Sequence, residues 1–309
     1  MSRILKKKLS ICIPTYNRVE FLKQCLQSIT SQFVDLSVYE QVEVVVSDND
    51  SPDNTGRLVE GMQRKFNNIR YFKNDKNIGA DLNVIKAAGY GQGDYIWFFS
   101  DDDLQARLAI KEVLRIIDSY SPDSIITNLD LLSKNGKKIK SKNLLKTKSN
   151  KLIITKKELF GFLENKFMWP IDWYTTCLSN TVVSKKIFDA NRKYVTSFFS
   201  QKRNNFLHSG IVYYKPDDYK IYITCKSLVR FRADNRSFGP NERDKLAYLN
   251  YINNTFAPHN KLIYKINKKN MSEKFKFLLF LKDFSRSLRI FVLKYLKIDF
   301  VDPFLTRSY

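Results

Sequence analysis

The chain has 309 residues, with 53 Lys and Arg against 31 Asp and Glu, a formal charge of +22, and 43% apolar and 14% aromatic content. The apolar content excludes an intrinsically disordered chain, and the length suits one large domain or a domain with an appendage. The charge favours an anionic partner, whether nucleotide, nucleic acid or membrane face, without choosing among them.

Lys6-Lys7-Lys8 precedes an apolar run of only Leu9–Pro14. That run is too short for a signal peptide or a membrane span, so a cytoplasmic protein with reduced thiols is expected. Cys12, Cys25, Cys177 and Cys225 form no CxxC pair and only two histidines occur, which argues against a structural zinc site. Leu9–Pro14 reads as a buried strand. Asn17 then starts a helix, with Glu20 as its capping-box partner and Phe21, Leu22, Cys25, Leu26 and Ile29 on one face. Val42–Ser47 is a second strand, and Ser51-Pro52 opens a helix with the stripe Leu58, Val59, Met62 and Phe66. Ile69–Phe72 (strand), Asp81–Ala88 (helix) and Tyr95–Phe99 (strand) follow. Beyond Asp101-Asp102-Asp103 come the helix Leu108–Ile117 and a fifth strand, Ser124–Thr127.

This alternation predicts a parallel, helix-covered sheet, with ligands beyond the carboxyl ends of its strands. Those ends carry Pro14-Thr15-Tyr16-Asn17, Asp48-Asn49-Asp50 and the Asp triplet, so polar residues distant in sequence converge on one edge. No GxGxxG or GxxxxGK[ST] follows a strand, which removes support for dinucleotide and P-loop sites. Residues 131–160 hold ten Lys and one Glu, and 131–157 read as a basic loop or hairpin. Residues 158–235 mix aromatics with short strands such as Tyr219–Cys225. Residues 272–299 have helical periodicity, with Phe277, Phe280, Leu281, Phe284, Leu288, Phe291 and Tyr295 on one face and Lys282, Arg286, Arg289, Lys294 and Lys297 on the other. That helix suits either docking on the catalytic domain or an anionic membrane surface.

Three adjacent carboxylates repel one another unless a positive charge sits beside them. A divalent cation meets that need and leaves sites for phosphate oxygens. The plainer alternative is a helix N-terminus, where Asp caps donors and suits the dipole.

IPTYNR after the first strand, VVVSDNDSPDNT after the second, NIGAD and GDYIWFFSDDDL form a set over about residues 8–130. Together they resemble the family-2 glycosyltransferases of the GT-A fold. NIGADLNVIKAA with GDYIWFFSDDD looks most like the abequosyltransferase-type branch, which adds dideoxyhexoses to bacterial O-antigens. The resemblance implies an α/β fold, a GT-A (Rossmann-like) mostly parallel sheet flanked by helices. It implies a GT-A domain over 1–237, with a nucleotide half 1–130 and an acceptor half 131–237, and a basic helical extension over 238–309.

It also implies roles. Pro14, Thr15, Tyr16 and Asn17 would line the nucleotide pocket, Asp48 would contact the base with Asn49 following, and Gly79 and Asp81 would lie beside the nucleotide-sugar. Asp102 matches the metal-binding member of the DxD motif, with Asp103 beside it on the metal and Asp101 on the donor side. The sequence departs from the pattern twice: Asp50 replaces the usual Gly, and Ser100 replaces the first acid of DxDD. The implied cofactor is Mg²⁺ or Mn²⁺, offsetting the charge of a leaving nucleoside diphosphate. The implied acceptor is a saccharide, lipid-linked, at the inner face of the bacterial cytoplasmic membrane. Transfer would invert the anomeric centre.

A general base is needed for the acceptor hydroxyl. In this family it is usually an Asp in the second half, but no Glu-Asp pair occurs in residues 170–215 and Phe198–Tyr214 holds no acid. His208 is the first candidate and Asp172, between Trp169 and Trp173, the second. The alternatives are a hydrogen-bonded histidine on a helix face and a loop or cap aspartate. Either Trp suits stacking on an acceptor sugar or core packing. Arg230, Arg232 and Arg236 suit bidentate phosphate contact, with Arg232 assigned to the donor, or else a solvated loop. A nucleic-acid partner is not expected, because the site edge is acidic and no RNP, KH or zinc-finger pattern occurs.

Overall fold

The computed structural model describes residues 6–133, 136–164, 177–199, 207–213 and 218–232. Trp169, Asp172, Trp173, Arg236, the 272–299 segment and the whole 238–309 extension lie outside the described residues.

β1 (Leu9–Thr15) and β2 (Val42–Asp48) are buried along their length and pair in parallel, Leu9 opposite Val42 and Thr15 opposite Asp48. Their near-continuous apolar runs fit strands covered on both faces. Alternation divides them between two cores. Ile11, Ile13, Val44 and Val46 face α1 (Val19–Thr30), α2 (Leu36–Gln41) and α3 (Thr55–Gln63), while Cys12 and Val45 face the opposite layer. β3 (Ile69–Lys73) extends the sheet beyond β2, and α4 (Ala80–Tyr90) crosses to β4 (Tyr95–Phe98) on the far side of β1. The short β5 (Leu104–Gln105) and α5 (Ala109–Tyr120) lead into β6 (Ser124–Leu132). β7 (Ile139–Ser141) pairs antiparallel along β6, the hairpin form of the two expected for the lysine-rich stretch. β8 (Lys151–Thr155), α6 (Lys156–Glu164), β9 (Thr181–Ser184), α7 (Lys185–Phe199), α8 (Leu207–Tyr213) and the 15-residue β10 (Asp218–Arg232) complete it.

One ten-stranded sheet results, ordered β3-β2-β1-β4-β9-β6-β10-β5, with β7 on β6 and β8 on β10. The nucleotide-side half, β3 to β4, is wholly parallel as expected. The sheet as a whole is mixed, because β9 enters antiparallel between β4 and β6, and β5, β7 and β8 also pair antiparallel. β6 runs across the expected boundary at residue 130, so both halves share one sheet.

Two helix starts differ from the sequence expectation. Asn17 does not cap α1: its φ is 52° and its amide donates to Ser51 Oγ at 2.9 Å. Glu20 forms no capping box, since Asp53 Oδ2 accepts from the Val19 amide at 3.0 Å. α3 begins at Thr55 rather than Ser51, because Asp53 Oδ1 accepts from the Thr55 amide at 3.0 Å. One carboxylate therefore serves two helix N-termini, a long-range cap that a local pattern does not reveal. All four cysteines are free thiols.

Candidate functional site

β1, β2 and β4 end on one edge, where the chain order reverses around β1; open α/β sheets bind ligands at such a point. Cys12 pairs with Phe98, so the same register three residues on sets Thr15 beside Asp101. The Thr15 hydroxyl donates to Asp101 Oδ2 at 2.7 Å.

All six carboxylate oxygens of the triplet accept from the chain. Arg18 forks across two of them, Nη1 to Asp101 Oδ1 and Nη2 to Asp102 Oδ2, each at 2.8 Å. The Ser100 hydroxyl donates to Asp102 Oδ1. Asp103 Oδ2 accepts from the Ser179 hydroxyl at 2.6 Å and Oδ1 from the Arg232 amide at 2.9 Å. Arg232 Nε also donates to the Asp102 carbonyl at 2.9 Å, and Nη2 to Gln24 Oε1 at 2.9 Å. The Phe21 ring lies 5.1 Å from each of the two guanidinium carbons. Gly136, at φ 73°, packs on Arg232, where a Cβ would stand 2.8 Å from Nη1. So the positive charge that the triplet needs is present in the chain as Arg18, the last residue of IPTYNR. The only sequence signal for it was its place as the cation nearest the first strand's end.

Burial sets the direction in which Asp101, Asp103 and Arg232 shift. It pushes the Asp101 carboxyl up, opposed by Arg18 and reinforced by Asp102. It pushes Asp103 well up, with Asp102 adding to it. Burial alone would lower Arg18, but Asp101, Asp102 and Asp103 outweigh it and hold the guanidinium above its ordinary value. Burial lowers Arg232 against the pull of Asp102 and Asp103.

At the end of β2, Asp48 Oδ1 accepts from the Ser51 amide at 2.8 Å and Oδ2 from the Tyr71 hydroxyl at 2.6 Å. Burial, then Asp48, push the Tyr71 phenol up, so it remains a donor at neutral pH. Asp50 takes φ 66°, the left-handed conformation that a glycine would adopt, so the turn survives the departure from the family pattern. Asn49 Oδ1 accepts from Asn74 Nδ2 at 3.0 Å and the Ile78 amide at 2.9 Å, and Asn49 Nδ2 donates to Asn77 Oδ1 at 2.8 Å. Asn83 on α4 ties the same network to Ser47. Asn74 Oδ1 stays buried without a hydrogen-bond partner among the described residues. Gly79 precedes α4 at φ 85° and ψ 159°, a conformation essentially confined to glycine, and Asp81 stands in the helix's first turn. Pro14 is half-buried and Tyr16 is 44% exposed at this edge. Ser51, Tyr71, Asn74, Asn77 and Ser179 were not anticipated, since each is placed by a partner far along the chain.

The second half is brought in less completely. His208 lies on α8, 3% exposed, its ring 6.1 Å from that of Phe98 at the end of β4. Arg232 is buried against the acidic turn, and Arg230 pairs with Leu104 and Asp130 in the sheet.

Hard carboxylate oxygens suit Mg²⁺ or Mn²⁺, and Arg18 already stands as a cation beside Asp101 and Asp102. Asp102 fits best, as the most exposed of the three at 9%. Asp103 fits poorly as a ligand, because it is 1% exposed and both its oxygens are turned inward to Ser179 and Arg232. Among the described residues no three His, Cys, Asp or Glu side chains gather to hold a metal, so a metal here would take one or two carboxylates and complete its shell from a phosphate ligand.

The family model described as Glycosyl transferase family 2 matches residues 10–192, more than half of the chain. The abequosyltransferase RfbV of Salmonella typhimurium is 28% identical over 267 residues, covering 81% of this chain and 75% of that protein. A Campylobacter jejuni GalNAc(5)-diNAcBac-PP-undecaprenol beta-1,3-glucosyltransferase is 25% identical, covering 79% and 72%. Among solved structures, S. aureus TarS 1–349 with UDP-GlcNAc aligns with a TM-score of 0.55 at 17% identity, covering 84% of this chain and 71% of that one. The Pyrobaculum calidifontis mannosyltransferase PcManGT, in complex with GDP-Man and Mn²⁺, aligns with a TM-score of 0.55 at 12% identity, covering 91% and 70%. These structures share the GT-A glycosyltransferase fold with this chain.

Proposed function

The chain belongs to glycosyl transferase family 2, and we propose that it moves a sugar from a nucleotide-sugar to a lipid-linked saccharide in bacterial surface polysaccharide synthesis, inverting the anomeric centre. The observation that carries this is the Thr15–Asp101 bond, which closes the β1 and β4 ends beside Asp48 at the end of β2. Asp48 and Asn49 serve the nucleoside, with Pro14, Thr15, Tyr16 and Asn17 lining its pocket. Gly79 and Asp81 lie towards the sugar. Asp101 orients the rim through Thr15 and Arg18, and Arg232 fixes the acidic turn by its amide and Nε. Asp102 is the residue that would hold Mg²⁺ or Mn²⁺, which when bound offsets the charge of a departing diphosphate. The acceptor hydroxyl attacks opposite the diphosphate and gives its proton to a base, with His208 and Asp172 the candidates.

The lipid-linked acceptor is supported by the Campylobacter relative, whose name specifies a PP-undecaprenol compound. Among the described residues no helix is long and apolar enough to cross a membrane. Peripheral contact through the basic face of 272–299 would bring the enzyme to such an acceptor. Flotation of the full chain with anionic liposomes across a salt series tests it; binding independent of salt refutes the electrostatic contact.

A thermal-shift screen of UDP-, GDP-, CDP- and dTDP-sugars, with and without Mn²⁺, tests the donor. One nucleotide class should stabilise the protein in a metal-dependent way. No shift with any of them overturns the reading. A nucleotide-sugar binder without turnover is the second reading, favoured by the burial of His208. Nucleotide release that rises on adding acceptor excludes it.

A further inference from the structure

Arg18 spans two carboxylates from neighbouring residues, at 2.8 Å to each, and its side chain keeps 16% exposure at the rim. It leaves β1 through Asn17, whose left-handed φ of 52° turns the chain so that the next side chain points back over the acidic turn. We propose that Arg18 and the divalent cation are alternative occupants of the Asp101–Asp102 pair. Arg18 holds the pair in the metal-free protein, and once displaced it presents its fork to the donor diphosphate. The inference rests on Asp102 as the metal carboxylate.

The physical case is one of competition. Two adjacent carboxylates held together at a buried rim repel one another unless a cation stands between them. A guanidinium supplies one charge through two parallel N–H bonds, whereas a divalent ion supplies two at shorter range. Both cannot sit on Asp102 Oδ2 without repelling one another. The Ser100 hydroxyl on Oδ1 is neutral and adds no such conflict. A diphosphate arriving with the metal offers the displaced guanidinium a pair of anionic oxygens that its fork can bridge. The Phe21 ring, 5.1 Å from the Arg18 guanidinium carbon, gives the side chain a surface along which to turn. Arg18 thereby sets the affinity for free metal low and couples metal binding to the arrival of donor. It is a positioning residue in the metal-free protein and a ligand-binding one in the loaded protein.

The test is Mn²⁺ titration of the full-length protein, with free ion followed by electron paramagnetic resonance. Arg18→Gln should bind Mn²⁺ alone about tenfold more tightly than wild type, and UDP at saturating Mn²⁺ about tenfold more weakly. A purely structural role would weaken both, so tighter metal binding is the diagnostic result. Equal or weaker Mn²⁺ binding by Arg18→Gln overturns the inference. Should Arg18→Gln fail to fold, Arg18→Lys keeps the charge and loses the fork. It should then bind Mn²⁺ about threefold more tightly than wild type, and equality overturns the inference. Asp102→Ala separates the two ideas. If it binds Mn²⁺ like wild type, the metal reading itself fails. If it loses Mn²⁺ while Arg18→Gln is unchanged, only the exchange fails.

Discussion

The backbone amide of Arg232 donates to Asp103 Oδ1 at 2.9 Å, joining residues 129 apart in the chain at the rim of the sheet. β10 reaches the acidic turn because it runs parallel to β6 and ends level with it, Arg232 opposite Leu132. The last strand thus clamps the turn that follows β4, and the carboxylate nearest the protein interior serves architecture.

Asp103→Ala should therefore destabilise the fold. It leaves the Ser179 hydroxyl and the Arg232 amide buried without their acceptor. A loss of about 2–4 kcal/mol is expected, read from urea denaturation midpoints. Asp103→Asn should lose less, because its carbonyl still accepts from one donor. An unchanged midpoint would return Asp103 to the ligand side of the site.

Asp102→Ala should cost less stability than Asp103→Ala while removing function, since its side chain is the most exposed of the triplet. Mn²⁺-dependent stabilisation by the donor should vanish, and turnover should fall by about a hundredfold or more. Retained turnover refutes its assigned role.

Tyr71→Phe deletes the 2.6 Å bond that orients Asp48. A stability loss of about 1 kcal/mol is expected. Nucleotide binding should weaken several-fold by calorimetry, with KM for the donor raised and kcat little changed, because the nucleoside lies away from the reacting carbon. A fall in kcat at constant KM would contradict a role confined to nucleotide binding.

Asp53→Ala removes the cap of α1 and the cap of α3 together. The expected cost is about 1–3 kcal/mol, larger than for an ordinary single cap, and Asp53→Asn should recover only part of it, because its one carbonyl oxygen can cap one helix and not both. A thermal melt matching wild type would show that the two helix starts are held by packing alone.

The strands of the first half were legible because a buried parallel strand writes its own pattern. LSICIP, VEVVVS and YIWFF are apolar runs that end in polar residues, and their ends named the edge where the site lies. Tyr16, Asp48 and the Asp triplet were placed on that edge this way, whereas Gly79 entered only through the family resemblance. What the sequence did not carry is which charge meets which. Arg18 was visible as a letter beside Asn17, yet its partners lie 83 and 84 residues on and meet it only through the β1–β4 register. Ser179 and Arg232 reach Asp103 only because β9 and β10 join the same sheet as β4.

By itself, then, the sequence determined the alternating α/β plan, the polar edge and the family, because periodicity and short motifs are local properties of a chain. Only the tertiary structure decided that Arg18 neutralises the acidic turn and that Asp103 is turned inward. Those depend on distances between segments that no spacing along the chain encodes.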